Sequence, residues 1–390
     1  MGKPPRRFRN PVSTAADSEN GDGAQGGEDR PVGIKDIARA LGISIGTVDR
    51  ALHARGGINP GTKERVLEMA RSLGYKPNLA ARYLKAPRRL RITVILPAKI
   101  ASFFDAVRSG IRQAASPHEP GVDLQFRSHP ALGEGDEELF KEAIEDGSKG
   151  IIISPGLPSR LKKWISKAEQ KGIPVVCVVT DAPGTDRLTW VSADPFICGA
   201  IVGELFCRMV RVSGSVAVMT GDLSTFDHSE KVRGFQNSLE SLKANLTLSE
   251  VLESHDDESL AYRQAKKLVS SDRNLRAIYV NTANSIGVIR ALQEVDPEQR
   301  ISLITTDLFP ELVPYLKSGR VLATINQRPE AQGRLAFESL YGLLVEAKRP
   351  PSKIRLNPHI VVRANLELFL ERAARATDGI DQKHEEVQSR

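Results

Sequence analysis

Eight side chains of this sequence share a placement that could do chemistry: each stands at or beyond the end of an apolar run. Phe103 and Phe104 follow "ITVILP", Asp181 follows "PVVCVV", and His228 and Lys231 lie in "TGDLSTFDHSEKVRGF" after "SVAVMT". Asn281 comes after "LRAIYV", Asp307 after "ISLITT" and Gln327 after "VLATIN". Aromatic faces stack on C–H surfaces, carboxylates accept hydrogen bonds, an ammonium donates them and an amide does both. A sugar or polyol demands this mixture, because each of its hydroxyls both donates and accepts. Singly, each residue has an ordinary explanation: an aspartate at a strand end caps the next helix, and paired phenylalanines fill a core. Asp227 beside His228 could form an acid–base pair, although hydroxyl binding or capping suits the two equally well. No "GxxxxGK[ST]", no "GxGxxG" opening the first helix and no HExxH occur, and the seven histidines are scattered. We therefore expect no catalytic residue, no metal and no cofactor.

Ligands of parallel α/β sheets bind beyond the carboxyl ends of the strands, so the elements between these residues matter. From Ile92 onward short apolar runs alternate with amphipathic segments, the first helices expected near Phe103–Ala115, Glu137–Glu145 and Leu161–Lys171. Uniformly apolar strands separated by helices indicate parallel sheets covered on both faces. Two such units meeting near Trp190 account for residues 91–372, one built from about 91–191 and 328–356, the other from about 192–327 and 357–372. Cys177, Cys198 and Cys207 sit in apolar surroundings without CxxC spacing and read as reduced core residues.

The net charge of +7 is unevenly divided. Residues 31–90 hold twelve basic and four acidic residues, whereas residues 1–30 balance and the rest of the chain is nearly neutral. So concentrated a surplus is the footprint of a unit that meets a polyanion. Residues 1–30 are rich in Gly, Ser, Asp and Glu and read as a disordered arm; residues 373–390 read as a loose tail. No apolar run approaches the roughly 18 residues of a membrane helix, and the basic start lacks the apolar stretch of a secretory signal. A cytoplasmic location is expected.

The basic unit, residues 31–78, has its own punctuation. Ile37, Ala38 and Leu41 form one apolar stripe and Val48, Ala51 and Leu52 another, with Gly42 at the reversal between them and Ser44 placed to cap the second helix. This is a helix-turn-helix. A third helix starts at Asn59 as N-cap with Pro60 at the first position, carries Val66, Leu67, Ala70 and Leu73 on its apolar face and ends at Gly74. A two-turn helix follows at Leu79–Lys85 within a linker spanning 79–90; alone it is marginal, because helix nucleation is costly.

"DIARALGIS-x-x-TVDRAL" and "RSLGYKPNLAARYL" together make residues 32–87 resemble the headpiece and hinge helix of the LacI/GalR family of bacterial transcriptional regulators. The following stretch of about 300 residues is similar to the family's effector half, itself like periplasmic ribose- and galactose-binding proteins. The resemblance implies that Ser44, Ile45, Thr47, Arg50, His53 and Arg55 face DNA, with Arg50 the base reader, and that Asn78, Ala81 and Leu84 contact it from the hinge helix, Leu84 as a minor-groove wedge. It implies that Phe103, Phe104, Asp181, Lys231, Asn281, Asp307 and Gln327 hold the effector; His228 joins them on the reading of the residues. Lys231 replaces the usual arginine of "R-x-x-G-F", and Ala182 stands where ribose binders have an arginine, so two bidentate grips are lost. Ile45 and Gly46 replace residues that often read bases, so the operator sequence does not transfer.

The expected architecture is thus an all-α helix-turn-helix headpiece joined to a two-subdomain α/β unit of the periplasmic-binding-protein type, with parallel sheets. The expected function is a homodimeric transcriptional regulator, repressor ahead of activator, that binds double-stranded operator DNA under control of a sugar or polyol. The alternative is a transport-type sugar-binding protein, which leaves residues 32–87 without a purpose. No sustained leucine heptad precedes the C-terminus, so a tetramerising coiled coil is not expected.

Overall fold

The computed structural model describes residues 33–52, 57–73, 89–119 and 121–371. His53, Arg55, Asn78, Ala81 and Leu84 lie outside them, as do the N-terminal arm, the hinge helix and the C-terminal tail. The chain divides into two compact units, Met1–Asn78 and Leu79–Arg390.

In the smaller unit, α1 (Ile34–Leu41), α2 (Ile45–Leu52) and α3 (Pro60–Ser72) pack around Ile37, Ala38, Val48, Ala51, Val66 and Ala70, all buried. Gly42 ends α1 at φ 65°, a left-handed conformation that opens the tight reversal into α2. Ser44 caps α2 by accepting the Thr47 amide on Oγ (3.1 Å), and Asn59 caps α3 by accepting the Gly61 amide on Oδ1 (2.9 Å). Leu73 departs from the expected apolar face: it is 37% exposed, and Met69 packs inward instead. The reason is length. At about 1.5 Å per residue α3 outruns its two shorter partners, which leaves Leu73 beyond their reach among the described residues.

The larger unit is two six-stranded sheets. The first sheet has the order β11-β5-β4-β3-β1-β2, from β1 (Leu90–Pro97), β2 (Val122–His129), β3 (Gly150–Ile153), β4 (Val175–Val178), β5 (Thr189–Ala193) and β11 (Lys353–Leu356). The second has the order β12-β10-β9-β8-β6-β7, from β6 (Gly214–Thr220), β7 (Leu246–Glu253), β8 (Leu275–Val280), β9 (Ser302–Thr306), β10 (Ala323–Asn326) and β12 (His359–Val361). The chain crosses between sheets three times, after β5, β10 and β11.

All pairings are parallel except β10 with β12, where Thr324 faces Val361 in antiparallel register. The second sheet is therefore mixed rather than purely parallel. β12 enters directly from the neighbouring sheet without a covering helix, so the right-handed crossover that enforces parallel pairing does not apply to it. Central strands β3 and β4 are buried at every position, whereas edge strands β2 and β7 are mostly half-buried or exposed.

Helices α4 (Ala101–Ala115), α5 (Asp136–Glu145), α6 (Pro158–Gln170) and α12 (Pro329–Glu346) serve the first sheet; α7 (Pro195–Met209), α8 (Phe226–Ser241), α9 (Glu258–Ser271), α10 (Ile286–Val295) and α11 (Val313–Ser318) serve the second. α7 and α8 meet backbone to backbone through two glycines. A β-carbon on Gly199 would strike the carbonyl of Lys231, and one on Gly234 the carbonyl of Phe196. Gly234 is the glycine of the "R-x-x-G-F" pattern, and close approach is what it permits. Gly234→Ala should force α8 away from α7 and lower stability by about 1–3 kcal/mol; a thermal denaturation curve matching wild type would show that the helices can separate freely.

Candidate functional site

Between the two sheets lies a partly open pocket lined by Ile100, Phe103, Phe104, Leu132, Val179 and Thr180 from the first subdomain and Asp227, His228, Lys231, Thr282, Ala283, Asp307 and Gln327 from the second. Every strand-end segment singled out in the sequence except that of Asn281 and Asp181 sends its named side chain here. Phe103 and Phe104 occupy the first turn of α4, edge to face with centroids 5.1 Å apart. Asp227, His228 and Lys231 fall on the first two turns of α8, at a spacing that brings positions i and i+4 together.

Lys231 is 1% exposed. Its Nζ donates to Asp227 Oδ2 (2.6 Å) and to the Asn281 carbonyl (3.3 Å). Burial pulls its pKa down, but Asp227 and Asp307 more than offset this and hold it above the ordinary lysine value. Asn281 therefore stands behind the cavity wall. Its carbonyl receives Lys231 and its Nδ2 donates to the His228 carbonyl (3.3 Å), leaving Oδ1 without a partner.

Asp307 follows β9 at φ 65° and accepts the Gln327 amide on Oδ1 (2.9 Å) and Gln327 Nε2 on Oδ2 (2.7 Å). Burial pushes its carboxyl up to about 6, against the opposing pull of Lys231 and of these hydrogen bonds. Because a carboxylate only accepts, it fixes the orientation of the Gln327 amide and leaves Oε1 unpartnered. Asp227 Oδ1 and Thr180 Oγ1 are also buried and unpartnered. Most buried polar atoms find a partner, so this cluster of unsatisfied oxygens marks a place for a ligand.

Asp181 is placed elsewhere. Its carboxylate is held by the Arg187 guanidinium, through Nε on Oδ1 and Nη2 on Oδ2 (2.7 Å), and also accepts the Ala182 amide (2.8 Å). Arg187 in turn donates to the Ser352 carbonyl (2.8 Å), so the pair ties the β4–β5 loop to the segment entering β11 and does not line the cavity.

The residue reading missed Ile100, Leu132, Val179, Thr180, Thr282 and Ala283. Ile100 and Val179 are β-branched yet left-handed, at φ 57° and 70°. Such conformations cost of order 1–3 kcal/mol each and collect at ligand sites. No side-chain pattern announces them. Thr180 and Thr282 adjoin Asp181 and Asn281, and the rule of inspecting strand ends would have reached both. The subdomains also touch at the rim: Lys99 Nζ donates to the His255 carbonyl (2.6 Å), Trp190 meets Phe226 edge to face at 5.7 Å, and Ala283 packs into the core of the first sheet.

On the headpiece, α2 buries Val48 and Ala51 and turns Ser44, Ile45 and Arg50 outward, with Thr47 half-buried. Ile45 is 50% exposed. The Ser44 and Thr47 hydroxyls bond each other (2.8 Å), and Arg50 Nε donates to the Gly46 carbonyl (3.1 Å). Lys35, Arg39, Lys63, Arg65 and Arg71 are exposed as well, so the basic surplus lies on the surface.

Residues 33–78 match the lacI family of bacterial regulatory proteins, and residues 92–348 match the periplasmic binding protein domain. An HTH-type transcriptional repressor PurR from Vibrio parahaemolyticus serotype O3:K6 is 23% identical over 337 residues, spanning 85% of this chain and 97% of that protein. The HTH-type transcriptional regulator AglR of Rhizobium meliloti (strain 1021) is 25% identical over 343 residues, 86% of this chain and 94% of its own. Among solved structures, GanP, a glucose-galactose binding protein from Geobacillus stearothermophilus, superposes with a TM-score of 0.66 at 26% identity, covering 72% of this chain and 99% of its own. A solute binding protein from Burkholderia graminis C4D1M in complex with D-arabinose gives a TM-score of 0.67 at 22% identity over 72% of this chain and 98% of its own, a likeness of fold.

Proposed function

The chain belongs to the lacI family of bacterial regulatory proteins, its larger unit being a periplasmic binding protein domain, and on that premise we propose that it is a transcriptional repressor whose grip on operator DNA is set by a sugar or polyol in the cleft. One observation carries the ligand assignment. Two phenylalanine rings face a buried ammonium and several unpartnered oxygens, and both subdomains contribute to the wall. The likeness to a glucose-galactose binding protein supports it. A transport role would leave the basic headpiece idle.

The protein works in the cytoplasm as a homodimer, each α2 entering the major groove of one half of a pseudo-palindromic operator. Effector contacts made by both subdomains favour one relation between them over others, and the hinge segment passes that preference to the headpieces. Linkage makes the coupling reciprocal: effector and operator must alter each other's affinity by the same factor. Fluorescence anisotropy on a labelled operator fragment, titrated with and without a sugar panel, tests this. Operator affinity should move with at least one sugar, and sugars that bind without moving it would overturn the proposal.

Arg50 reads guanine with its outward guanidinium. Arg50→Ala should weaken operator binding by about 1–3 kcal/mol and relax preference at one base pair. A loss of equal size on every sequence would reassign Arg50 to a phosphate.

A further inference from the structure

Charge balance in the cleft narrows the ligand beyond a polyol, an inference that rests on the function proposed above. Besides His228, the charged side chains lining the cavity are Asp227, Asp307 and Lys231, two carboxylates against one ammonium. Lys231 is paired with Asp227 at 2.6 Å. Asp307 is 3% exposed and, among the described residues, lies within ion-pair distance of no cation. Nearby cations are spent elsewhere: Lys99 donates to the His255 carbonyl, Arg108 pairs with Asp105, and Arg187 serves Asp181 and Ser352. Burial disfavours the ionised form of Asp307, and Lys231, already paired with Asp227, offsets this only in part, so its carboxyl is pushed up to about 6.

The unpartnered atoms lean the same way. Asp227 Oδ1 and Gln327 Oε1 can only accept, and the Gln327 amide is held in that orientation because its Nε2 donates to Asp307 Oδ2. Against them the wall offers three side-chain donors: the remaining N–H of Lys231, the Thr180 hydroxyl and Nε2–H of His228, whose Nδ1 accepts the Asp222 amide. A hydroxyl brings one donor and two acceptors; an ammonium brings three donors and no acceptor. Phe103 and Phe104 also line the pocket, and an aromatic ring face attracts a cation as well as C–H surfaces.

We propose that the effector is a cationic, amine-bearing polyol, an amino sugar or amino alditol whose ammonium completes the charge of Asp307 and the acceptor set around it. Anionic sugars, which would add a third negative charge, are rejected. Isothermal titration calorimetry of the full chain at neutral pH tests this with three matched groups. The amines are glucosamine, galactosamine and 1-amino-1-deoxysorbitol; the parents are glucose, galactose and sorbitol; the acids are glucuronate and galacturonate. At least one amine should bind about tenfold or more tighter than its parent, and the acids more weakly than either. In Asp307→Asn both amine and parent should bind more weakly, with their ratio falling to about one. Parents that bind as tightly as their amines, or acids as tightly as parents, overturn this inference and leave the proposed function standing. If the amine preference survives in Asp307→Asn, the assignment to Asp307 is wrong. If none of the compounds binds, the sugar-regulated reading falls with it.

Discussion

Lys231→Met should lower stability by about 3–5 kcal/mol at neutral pH and remove the effector response. Methionine nearly matches the volume of the lysine stem, so little of the loss comes from a cavity. The loss comes from charge. Nζ is the cation that Asp227 grips and that Asp307 feels, and without it two buried carboxylates face each other across the site. The pH dependence separates this from a packing defect. Lys231 has a folded pKa above its ordinary value, so its contribution is complete at neutral pH and is lost only as pH rises through that folded value. In the variant, acid should therefore restore stability by protonating the stranded carboxylates. Lys231→Met combined with Asp227→Asn should recover much of the loss at neutral pH, because removing both partners of a buried pair is far milder than removing one. Thermal denaturation from pH 5 to 8 reads all three proteins. A single variant as stable as wild type would mean that the pair is not structural.

The sequence exposed the parts of this protein in which one strong physical rule acts alone. Central strands of a parallel sheet are buried on both faces, so "GIII" and "VVCV" read as continuous apolar runs. Headpiece helices carry caps that have few other reasons to stand where they do, and Ser44 and Asn59 both make the bonds their positions imply. The strand-end rule placed Phe103, Phe104, His228, Lys231, Asp307 and Gln327 around one cavity. It failed at Asp181 because a second rule competes there. A buried carboxylate takes the nearest guanidinium, and Arg187 lies only one loop away. Strands β5, β11 and β12 passed unnoticed because runs such as "KIRL" and "HIV" are short and mixed; partners distant in sequence, not their own composition, make them strands. Left-handed Ile100 and Val179 are further out of reach, since the surrounding fold over-determines their backbone and no side-chain type signals it.

Asp307→Asn should stabilise the ligand-free protein above pH 6 and weaken its effector response about tenfold or more. The carboxyl is raised from an ordinary 3.8 to about 6. For an acid, a raised folded pKa means that the folded state binds the proton more tightly than the unfolded state does. The favourable contribution is then complete below about pH 4 and is lost as pH rises through about 6. Above that, wild type carries an ionisation penalty of about 3 kcal/mol, an order-of-magnitude figure from the size of the shift. Asparagine cannot ionise, tolerates the left-handed backbone at φ 65° as well as aspartate does, and keeps an oxygen for the Gln327 amide. The variant should therefore exceed wild type most at pH 7–8 and match it near pH 4. The same substitution discards the buried negative charge that the ligand is built to meet, so stability is gained where affinity is lost. Denaturation midpoints at both ends of that range, beside effector titrations of operator binding, check the two halves together. A variant no more stable than wild type at pH 8 would show that Asp307 is not held ionised against its environment, and one with an unchanged effector response would remove it from the ligand's contacts.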